Sequence, residues 1–115
     1  EMRILYKPET IFITRQDNLY IFEILDDELK DDNLIISDII QSFILPHTKK
    51  VFFIVPTEHN RNHVKKLCLI LADNLREMGV YKLPTTYVYD ISRKMAKNKK
   101  LLMKILGKYA KEDGW

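Results

Sequence analysis

Glycine is scarce in this chain, and the scarcity excludes whole classes of function. Gly79, Gly107 and Gly114 are its three glycines, and none belongs to a loop that could cradle phosphates, so P-loop and dinucleotide-binding readings have no support. Cysteine is rarer still. Cys68 stands alone, which excludes an internal disulfide and a cysteine-rich zinc site. Its place inside an apolar helical run makes it a buried, inert thiol rather than a nucleophile. No apolar run approaches the roughly 18 residues that span a bilayer, and no basic start, apolar stretch and small-residue cleavage site opens the chain. The expectation is a soluble, cytoplasmic protein with no membrane partner. Glu1 before Met2, with no helix ahead of the first apolar segment, suggests a piece of a larger protein or a tag remnant.

What is present is enough to fold. An apolar fraction of 46% and a charged fraction of 30% over 115 residues support one domain, 1–115, with a modest core. The net charge of +3 conceals a gradient. Through Thr48 there are ten acidic and four basic residues, a balance of −6, and the remainder carries fifteen basic against six acidic, a balance of +9. An acidic half suits a cation and a basic half suits phosphates, although two solvated faces of opposite sign would look the same.

Thr10–Thr14 and Leu19–Leu25 are β-branched and aromatic runs separated by Arg15, Gln16, Asp17 and Asn18, a hairpin with a short polar turn. Arg3–Tyr6 is a weaker strand candidate. An acidic loop from Asp26 leads to a helix capped by Asp32 or Asn33 and running from Leu34 to Leu45, whose wide apolar stripe predicts extensive burial. Val51–Val55, bounded by Lys49, Lys50 and Pro56, reads as a central strand covered on both faces. Thr57 caps a helix over Glu58–Met78 with a stripe of Val64, Leu67, Cys68, Leu71, Leu75 and Met78, and Gly79 ends it. Thr85–Tyr89 is a short strand. Ser92 caps a last helix with Met95, Leu102, Ile105, Leu106 and Tyr109 inward. The predicted class is α/β, a mixed sheet opening with a β-hairpin in the order β-β-α-β-α-β-α.

Three groups of residues carry candidate chemistry. Glu23 shares one face of its strand with Leu19, Ile21 and Leu25, where a lone carboxylate is costly and calls for compensation. A divalent cation shared with Glu9 would supply it, as would a lysine near solvent. His59 and His63, four apart on a helix, have zinc-ligand spacing but no third ligand at a recognisable distance. With Arg61, Lys65 and Lys66 they are placed to meet phosphates. The last helix carries Arg93, Lys94, Lys97, Lys99, Lys100, Lys104, Lys108 and Lys111 with no acid before Glu112. Such a row attracts polyanions in a salt-dependent way and reads backbone rather than base sequence.

Lys7-Pro8-Glu9-Thr10-Ile11-Phe12-Ile13, then Tyr20-Ile21-Phe22-Glu23-Ile24-Leu25, a helix, and Val51-Phe52-Phe53-Ile54-Val55-Pro56 resemble the core of the PD-(D/E)xK nuclease superfamily, the restriction-endonuclease-like fold. In that family a Pro-Asp opens one hairpin strand, an acid two residues before a lysine closes the next, and a helix and buried strand follow. The resemblance covers about Lys7–Pro56. It implies that Glu9 and Glu23 are the metal-binding acids, for Mg²⁺ or Mn²⁺, and that the water-activating lysine falls on Leu25. Leucine has neither charge nor proton to offer. Either a lysine from elsewhere replaces it, Lys30 being nearest, or the domain keeps the fold without the reaction. Gln41 resembles a glutamine that exonuclease-like branches carry, but their following tyrosine is Leu45 here.

The expectation is therefore a degenerate nuclease-like domain of a DNA- or RNA-processing protein, with DNA ahead of RNA as partner. Its binding cations would be Arg61, Lys65, Lys66, Arg93, Lys94, Lys97, Lys100 and Lys104. An active phosphodiesterase using Glu9, Glu23 and Lys30 is one alternative. A protein-interaction module whose acidic loop, Asp26–Asp32, meets a basic partner is the other.

Overall fold

A computed structural model describes residues 2–7 and 9–113. Five strands form one mixed sheet in the order β1-β2-β3-β4-β5: β1 (Arg3–Lys7), β2 (Thr10–Arg15), β3 (Asn18–Ile24), β4 (Thr48–Val55) and β5 (Thr85–Asp90). The first three pair antiparallel, and β3, β4 and β5 run parallel. Helix α1 (Asp32–Ile44) joins β3 to β4, and α2 (Glu58–Glu77) joins β4 to β5. Two right-handed crossovers stepping in the same direction must lie on the same face of a sheet. Accordingly α1 and α2 share one core with the sheet, built around Ile21, Leu25, Ile35, Ile39, Val51, Phe53 and Val64. The opposite face would be bare, and the chain covers it with its last segment. Short α3 (Arg93–Ala96) and α4 (Lys99–Ala110) pack Ala96, Leu102 and Leu106 onto Ile13, Tyr20, Phe22, Phe52 and Ile54. β4 lies between both layers, which is why its sequence is an unbroken apolar run.

The α/β class stands, with differences in detail. Arg3–Lys7 forms a full strand, so the order is β-β-β-α-β-α-β followed by two helices rather than one. Arg15 pairs with Asn18, which shortens the hairpin turn to Gln16 and Asp17, both with positive φ. Asp31, not Asp32 or Asn33, caps α1 by accepting from the Asn33 N–H at 2.9 Å. Nor is α1 largely buried, because Leu34 and Ile44 face outward and only the stripe through Ile35, Ile39, Ser42 and Phe43 packs inward. Met78 and Met95, expected inside, are exposed, Met78 at the C-cap of α2 and Met95 in the short α3. The last helix breaks at Asn98, whose side chain accepts from the N–H groups of Lys100 and Leu101 and starts α4 afresh. That competition with the backbone is what makes asparagine a cap rather than an interior residue. Thr57 caps α2 through Asn60 N–H, and Gly79, at φ 90°, leads the chain out of it as expected.

Lys50 is the largest departure. Next to an apolar run it reads as a boundary, yet it is 5% exposed inside β4. Its Nζ lies 5.7, 6.0 and 5.3 Å from the ring centres of Tyr20, Tyr87 and Tyr109, and it donates to the Tyr109 carbonyl and to Glu112 Oε2, both at 3.3 Å. Ring faces and two oxygens replace the water the ammonium lost.

Candidate functional site

β2 and β3 place the two predicted acids at one end of the hairpin. Thr10 pairs with Glu23 across the strands, and Glu9, just before Thr10, accepts at its carbonyl from Ile24 N–H at 2.7 Å. Pro8, the first residue of the Pro-Glu pair, lies outside the described residues. Glu9 adopts φ 64°, a left-handed conformation uncommon for a side chain of this size. The strand alternation turns Glu23 toward α1, where the buried Ser42 hydroxyl donates to its Oε2 at 3.1 Å. Glu9 instead lines a cavity of about 190 Å³ at the carboxyl ends of β3 and β4, with Ile24, Val55, Ile91, Ala96 and Lys97.

Two further carboxyls, which the sequence reading did not assign to this site, join them. Glu28 sits in the 3₁₀ turn Asp27–Lys30 that follows β3, and Asp38 is on α1 four residues before Ser42. Glu23 is driven up to about 7, first by burial and then by the charge of Asp38, against the opposing hydrogen bond from Ser42, with Glu28 and Glu9 adding to the rise. Burial also raises Glu9, with Glu28 as its next cause through charge and a shared hydrogen bond, and burial then Glu28 raise Asp38. Glu28 is thus the one group felt by all three. The Asp38 Oδ2 atom is buried without a hydrogen-bond partner. At neutral pH this end of the sheet concentrates negative charge, a part of which is relieved by the proton that Glu23 holds.

The cation implied by the resemblance requires converging donors. Among the described residues no group of three His, Cys, Asp or Glu side chains is arranged to hold a metal ion. Glu23 faces α1 while Glu9 borders the α3 side, and Leu25, in the lysine's place, is 1% exposed within the core. The donor set does not fit the family's cation. Lys30 is 75% exposed and pairs with Asp27 at 3.7 Å. Gln41 faces solvent.

The predicted binding cations fall into two groups. On α2, Arg61 reaches Asp90 Oδ1 at 2.6 Å and Glu58 Oε1 at 3.5 Å, whereas Lys65 and Lys66 are exposed. On α3 and α4, Arg93 is tied to Asp26 at 2.8 Å. Lys94, Lys97, Lys100 and Lys104 are exposed and, among the described residues, in no ion pair. Lys100, Lys104, Lys108 and Lys111 repeat at steps of four, four and three, opposite the buried Leu102 and Leu106. The histidines do not act together, since His63 Nε2 lies 2.8 Å from Asp32 Oδ1 and His59 is exposed. Burial pushes the Cys68 thiol up to about 12, which leaves it unreactive at neutral pH. No helix of the described residues is long and apolar enough to cross a membrane. No family model matches the chain, and neither the curated proteins nor the solved structures give a match.

Proposed function

We propose that this chain is a nuclease-like nucleic-acid-binding domain that grips phosphate backbones without cutting them. The observation that carries the reading is the set of cations on α3, α4 and the link between them, exposed and unneutralised by any described acid at Lys94, Lys97, Lys100 and Lys104. At 1.5 Å per residue the Lys100–Lys111 stripe is about 16 Å long, enough to follow several phosphates. The apolar side of the same helix is spent against the sheet, which disfavours a lipid surface. The nuclease-like part of the reading rests on order and placement: a hairpin with Glu9 and Glu23 at one end, then α1, then the buried β4. Loss of cleavage is the reading that Leu25 supports, since it offers no proton, together with the lack among the described residues of three ligands arranged for a metal ion.

The interaction-module reading is weaker, because the acidic segment is consumed internally. Asp26 binds Arg93, Glu28 accepts from Asp26 N–H, Asp31 caps α1 and Asp32 holds His63.

The test is incubation of the domain with labelled duplex DNA, single-stranded DNA and RNA, with Mg²⁺, Mn²⁺ or chelator. The expected result is retained complex without cleavage, weakening as salt rises. Lys100→Ala with Lys104→Ala should flatten the log K against log salt slope on duplex by about 1.8, two contacts' worth. Metal-dependent cleavage abolished by Glu23→Ala would overturn the loss of activity, and absence of any complex would overturn the reading itself.

A further inference from the structure

The free edge of β5 ends an aromatic column. Phe22, Phe52 and Tyr87 are register partners on β3, β4 and β5. Their rings stack across the sheet, with centroids 4.4 Å apart at 9° between Phe22 and Phe52, and 5.1 Å apart at 13° between Phe52 and Tyr87. These separations match the spacing of adjacent strands, about 4.8 Å, so the column takes one ring per strand. Among the described residues no strand follows β5 in the sheet. Tyr109 does not continue the column. It lies 5.4 Å from Phe52 and 4.4 Å from Tyr87, tilted at 53° and 41°, and so roofs both rings from α4.

Tyr87 lies on the α4 face of the sheet and α2 on the other, and an open groove of about 510 Å³ that passes over the edge of β5 is lined by Tyr87 on one side and by α2 as its other wall. That wall contributes Arg61, Lys65 and Arg76. From Arg61 to Arg76 the helix rises about 22 Å. Lys65 forms no ion pair among the described residues, while Arg76 is held at 3.2 Å by Asp73 and Arg61 by Asp90. A ring face on one side of the β5 edge and basic side chains on the other are complementary to a nucleic-acid strand that crosses the edge, base on one side and phosphates on the other. A peptide strand pairing with β5 would use the free backbone edge but neither of these features.

We propose that the groove between β5 and α2 binds single-stranded nucleic acid, one base stacking on Tyr87 as the next ring of the column while the phosphates follow Lys65 and Arg76. This rests on the nucleic-acid reading above and assigns it strandedness, because a base locked in a duplex has no face to offer.

The test compares fluorescence anisotropy of a short oligo(dT) with that of a duplex of equal length. The wild-type chain should prefer the single strand. Tyr87→Leu should weaken the single strand about fivefold or more and leave the duplex unchanged, and Tyr87→Phe should restore it. Lys65→Glu, on the surface and remote from the core, guards against a folding defect and should weaken the single strand more than the duplex. Photocrosslinking of 5-iodouracil oligonucleotides should map to Tyr87. Equal affinity for both forms, or crosslinks confined to α4 with Lys65→Glu silent, overturns the groove while the backbone-binding reading survives. No binding of either form removes both and leaves β5 as an edge for a peptide strand.

Discussion

Glu23 should make this protein less stable as pH rises, and one substitution should remove the effect. Its carboxyl is raised from 4.5 to about 7 in the folded state. The folded chain thus holds a proton that the unfolded chain releases, and stability falls with pH wherever the unfolded state binds fewer protons. The contribution is fully present below about 4.5, declines through the interval and is gone above 7. At full weight the shift corresponds to about 3.4 kcal/mol, and partial access of Glu23 to solvent reduces this to about 2 kcal/mol. Glu23→Gln removes the ionisation and keeps an oxygen to accept from Ser42. Urea unfolding followed by circular dichroism at pH 4, 6 and 8 should show the variant level with the wild type at pH 4 and more stable by about 2 kcal/mol at pH 8. Taking the difference cancels the other acids that titrate over the same range. A difference flat to within about 0.5 kcal/mol would refute the reasoning that burial and Asp38 hold the proton on Glu23.

Leu25→Lys, which reinstates the family's lysine, should cost about 3 kcal/mol or more because it places an ammonium in the core beside Ile35 and Ile39, a loss measurable by thermal melting. It should not create cleavage. Lys50→Met keeps the apolar stem but removes the charge from among three tyrosine rings, and should lower stability by about 1–2 kcal/mol in a urea titration, nearly independent of salt. Asp17→Gly relieves a positive φ of 63° in the two-residue turn and should raise stability by about 0.5–1 kcal/mol, read as a higher urea midpoint with an unchanged slope.

Elements whose signals are local were legible in the sequence. Val51–Val55 declared a strand covered on both faces, Thr57 and Gly79 bracketed α2, and the two β-branched runs around Gln16-Asp17 declared a hairpin. What escaped depended on registers between distant segments. Phe22, Phe52 and Tyr87 stack only because two crossovers bring them level, and nothing in their separate neighbourhoods announces it. Glu28 and Asp38 were overlooked for a similar reason: each looks like an ordinary acid of a loop or helix face until the fold sets both near Glu23. Lys50 was misjudged because burial of a lysine requires ring faces supplied from β3, β5 and α4. The strand alternation gave the face of Glu23 but not that of Glu9, since the left-handed turn at Glu9 departs from simple alternation.

The change of strand direction within the sheet also bears on the order of assembly. β2 meets β1 and β3 across short turns, and hairpins of that kind close within about 1–10 μs. β3 finds β4 only after the segment from Leu25 to His47 is ordered, and β4 finds β5 only after Pro56 to Pro84. Loop closure over such distances is slow, so the meander is positioned to nucleate and the parallel strands to follow. The strand that finishes the sheet is then an edge strand, and the amides of β5 should be the first of the parallel set to exchange with solvent.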